Sequence, residues 1–255
     1  MGLALEVIVN VSLYQAAAAL GANARWQEAI SGNLAASSIP GYKKQQISFD
    51  AVQAGIMDQS GLPRNLLSLP RAVVGTSFAP GEMKATGVPT DAAIEGRGFF
   101  EVQLPNGSSG YTRDGQFDTN AEGQLVTKQG YPVVGDSGPI QLDKNYGGNI
   151  SISGNGEVSQ GSIHKGKLKV VDFNDLNLLT PTSSGYFIAQ DRSLIPTEVR
   201  EPSIRQNVLE SANTSGVAEM ANLIGVMRAY EANQRIVQVQ DERMGRTITE
   251  LGNPN

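Results

Sequence analysis

The sequence predicts an α+β protein. Its N- and C-terminal helices are expected to pair as a coiled-coil-like unit, and its middle to fold as an all-β domain of barrel or sandwich type. Three observations carry this. An alanine-rich segment near the N-terminus ends at Ser37-Ser38-Ile39-Pro40-Gly41, where proline and glycine stop a helix. Between Pro202 and Pro254 there is no proline, and apolar residues recur every seven positions. Between them lie 18 of the 29 glycines, from Gly75 to Gly166, among short β-prone runs. The expected parts are an N-terminal helical segment (1–40), a connector (41–75), a β-domain (76–205) and a C-terminal helical segment (206–255) that packs with the first.

The first helix is expected from about Leu13 to Ala36. Leu13, Leu20 and Leu34 fall at multiples of seven, and Ala17, Ala24 and Ile30 complete a narrow apolar stripe. The connector holds a small basic spot, Lys43-Lys44, and its pattern is broken at Gly61-Leu62-Pro63 and Leu69-Pro70. Extended or irregular structure is expected there.

In the middle, Phe99 to Leu104 is followed by Pro105-Asn106-Gly107. Tyr111-Thr112-Arg113 is followed by Asp114-Gly115, and Ile150 to Ser153 by Gly154-Asn155-Gly156. Such dipeptides between apolar runs signal hairpins, because the tightest hairpin turns need positive φ. Turn signals every 8–12 residues suit a barrel or sandwich.

The C-terminal segment is the most regular. Leu223, Tyr230, Val237, Met244 and Leu251 are seven apart, with Met220, Met227, Gln234, Asp241 and Ile248 as the companion row. Gln234 and Asp241 either fix register or mark where the helix rotates out of the seam. Thr214 or Ser215 can cap the helix, and Glu219 suits its first turn. A helix from Val217 to Leu251 measures roughly 50 Å at 1.5 Å per residue. That is long for a globular domain, so it is expected to pack on something beyond its own β-domain.

Composition narrows the function. The net charge of −5 gives no basic field for nucleic acid. The absence of cysteine removes disulfides, thiolate chemistry and cysteine metal sites. No run of about 18 apolar residues is present to span a membrane. The first basic residue is Arg25, and Glu6 interrupts the apolar start, so no cleaved signal peptide is expected. The single histidine, His164, has no patterned nucleophile beside it and reads as part of a hairpin turn. Asp118 to Gly123 matches the first half of a calcium loop, but the closing position is Gln129, so a polar turn is expected. Gly96-Arg97-Gly98 reads as a tight turn into a strand rather than a phosphate loop. No catalytic residue, cofactor or metal is expected.

Three ordered motifs carry a resemblance. Ser31-Gly32-Asn33-Leu34-Ala35 through Pro40-Gly41-Tyr42-Lys43 is the first. Asp91-Ala92-Ala93-Ile94-Glu95-Gly96-Arg97-Gly98-Phe99-Phe100, Tyr111-Thr112-Arg113-Asp114-Gly115 and Gly123-Gln124-Leu125-Val126-Thr127 form the second. Leu209-Glu210-Ser211-Ala212-Asn213 with Arg228-Ala229-Tyr230-Glu231-Ala232-Asn233 is the third. Together they resemble the axial rod and hook subunits of the bacterial flagellum over nearly the whole chain. Gly32, Ala36 and Thr90 depart from the family's pattern.

The resemblance implies a structural, non-enzymatic subunit of the basal-body rod, in the periplasmic portion. It implies export by the flagellum's own type III apparatus and assembly with copies of itself and with other axial proteins. The terminal helices would pair and line a hollow tube that transmits torque. The assembly residues expected are Leu13, Leu20, Asn33, Leu34, Met220, Leu223, Met227, Tyr230, Val237, Met244, Ile248 and Leu251. Pro132 to Ile140 and Glu201 to Arg205 look closer to a proximal rod subunit, with distal rod or hook-type subunits as runners-up. A secreted β-domain that binds a carbohydrate or protein, with helices as stalks, is the alternative from another class.

Overall fold

The computed structural model describes residues 2–57, 63–144, 146–182, 185–191 and 193–252. The break at Gly61-Leu62 and the side chains of Leu13, Ile248 and Leu251 lie outside the described residues. Helix α1 runs Gly2–Ala36. It starts earlier than the expected Leu13, because no proline interrupts the apolar stretch before it. Strands β1 (Gln45–Met57) and β2 (Pro63–Thr76) pair with each other as a two-stranded ribbon. Helix α2 runs Gly216–Gly252, immediately after Ser215. Met1–Leu34, Gln45–Gly75 and Gly216–Asn255 make one compact unit; Ala35–Lys44 and Thr76–Ser215 make the other.

In the first unit, α1 is fastened to the ribbon by polar contacts. Asn33 Nδ2 donates to the Gln45 carbonyl at 2.9 Å, and the Gln45 N–H donates to Asn33 Oδ1 at 2.8 Å. The Trp26 and Phe49 rings meet edge-on at 5.5 Å. Such support matters, since an isolated two-stranded ribbon is marginal in water. Among the described residues, those of α1 that are buried are Ala16, Ala22, Asn23, Ala29, Ile30 and Asn33, while Ala17 and Ala24 are exposed. The expected stripe is therefore rotated. Seven-residue spacing put Ala17 and Ala24 in the stripe with the leucines and Ile30, and gave no weight to Asn33, whose amide bonds the Gln45 backbone.

The second unit is β-rich. Its early strands are β3 (Met83–Ala85), β4 (Ala92–Ile94), β5 (Phe99–Gln103), β6 (Ser109–Thr112), β7 (Phe117–Thr119) and β8 (Leu125–Thr127). Then come β9 (Val134–Gly135), β10 (Gly138–Pro139), β11 (Ile150–Ile152), β12 (Glu157–Gln160), β13 (Ile163–Lys167) and β14 (Val170–Asp172). The last are β15 (Leu179–Pro181), β16 (Phe187–Ala189), β17 (Thr197–Glu198), β18 (Ile204–Gln206) and β19 (Val208–Glu210). Six of them form one open sheet in the order β15-β16-β6-β5-β14-β17. Smaller sheets are β11-β12-β13, β7-β8, β9-β10, β4-β18 and β3-β19.

Alternation along a strand puts consecutive residues on opposite faces. Phe100 and Val170 join one buried cluster, with Val102, Leu125, Val158 and Leu168. Phe99 and Val171, their chain neighbours, join a second cluster with Tyr111, Phe173 and Phe187. The central strands β5 and β14 are thus buried on both faces, which is why they read as unbroken apolar runs. The second cluster is aromatic, with Tyr111 edge-on to Phe173 at 4.8 Å.

Turn chemistry follows the sequence in most places. Gly107, Gly123 and Gly156 all take positive φ at hairpin ends. The calcium-like stretch is a hairpin turn between β7 and β8, with Asn120 Oδ1 accepting from the Glu122 and Gln124 N–H groups. His164 is exposed on β13, opposite Ser159 and just past the Gly161-Ser162 turn. Gly96 and Gly98 take positive φ on the way into β5. Asp114-Gly115 differs from expectation. It links β6 to β7, and Gly115 is needed because a Cβ there would lie 1.5 Å from the Ala92 carbonyl oxygen.

Candidate assembly interface

Helix α2 has two distinct apolar faces. The half-buried or buried row is Glu219, Leu223, Val226, Tyr230, Asn233, Val237, Gln240 and Met244. Its spacing alternates between three and four, which keeps one side of a helix turned the same way. Val226 is its most buried member, at 1% exposure. The expected row of Leu223, Tyr230, Val237 and Met244 therefore faces inward. Its inward companions are Glu219, Val226, Asn233 and Gln240, not Met220, Met227, Gln234 and Asp241. Gln234 and Asp241 are exposed, as the rotating-out alternative has it.

The second face is apolar and open. Val217, Met220, Ile224 and Met227 are 48–80% exposed. At 3.6 residues per turn they lie about a third of the way round the helix from the first row. Beyond Met227 this side turns polar, with Glu231, Arg235, Gln238 and Glu242. Glu242 and Arg246 pair at 3.8 Å in the open, a contact that adds little stability. On α1, Leu20 and Leu34 are half-buried, and Asn33 is buried with its amide engaged by Gln45.

A second constellation joins the segments that carry the sequence motifs. Lys43 and Glu210 are both buried, and Lys43 Nζ lies 2.6 Å from Glu210 Oε1. Arg113 Nη1 lies 3.3 Å from Glu210 Oε2. The Gly81 N–H donates to Glu210 Oε1 at 2.8 Å, and Lys43 Nζ donates to the Ala79 carbonyl at 2.9 Å. Arg113 also donates to the Ile94 and Gly96 carbonyls, at 3.1 and 2.6 Å. Burial pulls the Lys43 ammonium and the Arg113 guanidinium below their ordinary values, and Glu210 opposes both shifts. A charge is tolerated at such a site only when paired and hydrogen-bonded.

Backbone contacts complete this arrangement. The Gly41 N–H donates to the Glu210 carbonyl at 2.6 Å, and the Asn213 N–H to the Tyr42 carbonyl at 3.2 Å. Asn213 Oδ1 accepts from the Lys44 N–H at 2.7 Å, and its Nδ2 donates to the Ser77 and Ala79 carbonyls. Gly41 takes φ +67°, and a Cβ there would lie 2.1 Å from the Arg113 carbonyl carbon. The small basic spot expected at Lys43-Lys44 is therefore split: Lys43 is buried against a carboxylate 167 residues away. Sequence reasoning missed Lys43, Arg113, Glu210 and Asn213 as one group. Their only signal was that each falls in a motif.

Comparison with known proteins gives these motifs a family. A model described as the flagellar hook protein FlgE/F/G D1 domain matches residues 93–160. Another, for the flagellar basal body rod FlgEFG protein C-terminal region, matches residues 205–250. The flagellar basal-body rod protein FlgF of Caulobacter vibrioides is 33% identical over 230 residues, spanning 89% of this chain and 91% of the relative. This chain belongs to the flagellar basal-body rod protein family. Rod protein FlgG of Borreliella burgdorferi and FlgF of Escherichia coli are each 30% identical, over 92% of this chain and 96% of the relative.

The rod protein family is structural and not enzymatic, so the chain is a structural protein. Arg113 falls in the first matched region, and Glu210, Asn213 and the open face of α2 fall in the second. Among the described residues, no helix is long and apolar enough to cross a membrane.

Proposed function

We propose that this chain is a structural subunit of the flagellar basal-body rod, and that it polymerises through its terminal helices. In this reading α1 and α2 pair, copies of the chain join one another and other axial proteins, and the resulting hollow tube transmits torque for motility. The observation that carries it is the pair of apolar faces on α2. One face is covered by the chain itself. The other exposes Val217, Met220, Ile224 and Met227 in a row of about three turns. Exposed apolar stripes of this kind mark interaction sites, and methionine adapts to irregular neighbours. Leu13, Leu20, Asn33, Leu34, Leu223, Tyr230, Val237, Met244, Ile248 and Leu251 complete the proposed assembly set.

The same reading places the subunit in the periplasmic part of the basal body, at a proximal position, exported by the flagellar type III apparatus. Pro132 to Ile140 and Glu201 to Arg205 support the proximal position. Similarity at 33% and 30% to rod proteins of two names, FlgF and FlgG, keeps the distal position as the second reading.

The test is the double variant Met220→Glu with Met227→Glu. Two carboxylates on an exposed face leave the monomer's fold unchanged, because neither methionine is buried. They desolvate poorly against an apolar neighbour. A strain carrying the variant is expected to be non-motile and to lack rods beyond this subunit in isolated basal bodies. Full motility would rule out this face as an assembly surface.

A further inference from the structure

The chain passes from α1 into the β-rich unit through residues 35–44, leaves it for the ribbon, returns at Thr76 and leaves for α2 at Ser215. Within that unit the two connections are fastened side by side. Gly41 bonds Glu210, Tyr42 bonds Asn213, and Lys44 bonds the Asn213 side chain. Partner numbers rise together, so the two stretches run in the same direction. Tension applied to the N-terminal side of one and the C-terminal side of the other would slide them past each other. All the bonds between them would then be strained together rather than opened one by one.

The buried charges act on the same motion. Lys43 is held by Glu210, Glu210 by the Gly81 N–H and Arg113, and Arg113 by the Ile94 and Gly96 carbonyls. This polar chain runs from the entering stretch into the strands around β4. Sliding would strand Lys43 as an unpaired charge in a dry interior and deprive Glu210 of one of its two cations, a costly intermediate. The charge count separates this role from plain core stability. Two cations share one carboxylate, so removing Lys43 leaves a neutral Arg113–Glu210 pair. The β core does not need Lys43 for its own balance.

We propose that residues 41–44 and 210–213 form a mechanical clamp, fastened by the buried Lys43–Glu210–Arg113 cluster, that resists tension along the two connections to the helices. The proposal rests on the reading of the chain as a torque-transmitting rod subunit. Its test does not depend on assembly.

The chain has no cysteine, so thiol handles can be placed at will. Ser38→Cys with Ser215→Cys pulls across the clamp, and Glu122→Cys with Ser162→Cys pulls across exposed turns elsewhere in the same unit. Single full-length molecules are held at constant force along each axis. Forced unfolding reports the unfolding barrier. Lys43→Met is expected to speed rupture along the first axis at least about tenfold, with little change along the second. Asn213→Ala, which removes the side-chain bonds to Lys44, Ser77 and Ala79, is expected to act the same way. Unchanged rupture along the first axis would overturn the clamp. So would equal weakening along both axes, which would show general destabilisation. Either result leaves the rod reading to the motility test above.

Discussion

Asp114 is pushed up to about 6, first because burial strips its carboxylate of water. Its bond from the Gln116 N–H and the charge of Lys128 pull the other way, and the nearby charge of Asp91 adds to the rise. A carboxyl whose folded pKa is raised favours the fold only while protonated. Its contribution is fully present below the ordinary aspartate value and is lost as pH climbs through about 6. Asp114→Asn keeps the acceptor for Gln116 and removes the charge. Urea melts are expected to show it more stable than the parent by about 1–3 kcal/mol at pH 8, with little difference below about pH 4. A variant no more stable at pH 8 would contradict this. Glycines divide in the same local way. Gly115→Ala drives a methyl into the Ala92 carbonyl and is expected to cost more than about 3 kcal/mol. Gly107→Ala meets open space and pays only for its positive φ, about 1 kcal/mol. Thermal melts of the two single variants compare them directly.

Helix α2 shows what an element adds to its residues. Its heptad spacing is plain in the sequence, but spacing alone admits more than one pair of rows. Burial selects the row through Val226 and leaves Met220 outside. Val226→Ala is expected to destabilise the monomer by about 1–3 kcal/mol, and Met220→Ala to stay within about 0.5 kcal/mol. Helical circular dichroism on heating measures both. Equal effects would mean that the two faces are not distinct. The ribbon of β1 and β2 makes the complementary point. Its residues looked like a connector because Gly61-Leu62-Pro63 and Leu69-Pro70 break their periodicity, yet α1 fastens it through Asn33 and Trp26.

For the whole molecule, the family motifs turn out to mark a junction. They lie apart in the chain, yet Lys43, Arg113 and Glu210 meet in one buried cluster. The β core and the open face of α2 can then be perturbed separately. The paired glutamates at Met220 and Met227 are expected to leave the monomer's melting curve intact while stopping motility. A fall in melting temperature would trace that loss to folding instead.

The α+β class, the long C-terminal helix, the hairpin turns at Gly107, Gly123 and Gly156, and the resemblance to the family are all legible in the amino-acid string. These depend on local rules: proline and glycine punctuation, seven-residue spacing, and motifs that survive as short strings. Packing in three dimensions settles which rows of α1 and α2 face inward, that Gly115 is required by a neighbouring carbonyl, and that Lys43 is a buried partner of Glu210. Those outcomes depend on atoms brought together across as many as 167 positions. Local spacing carries no record of what the folded chain sets beside each residue.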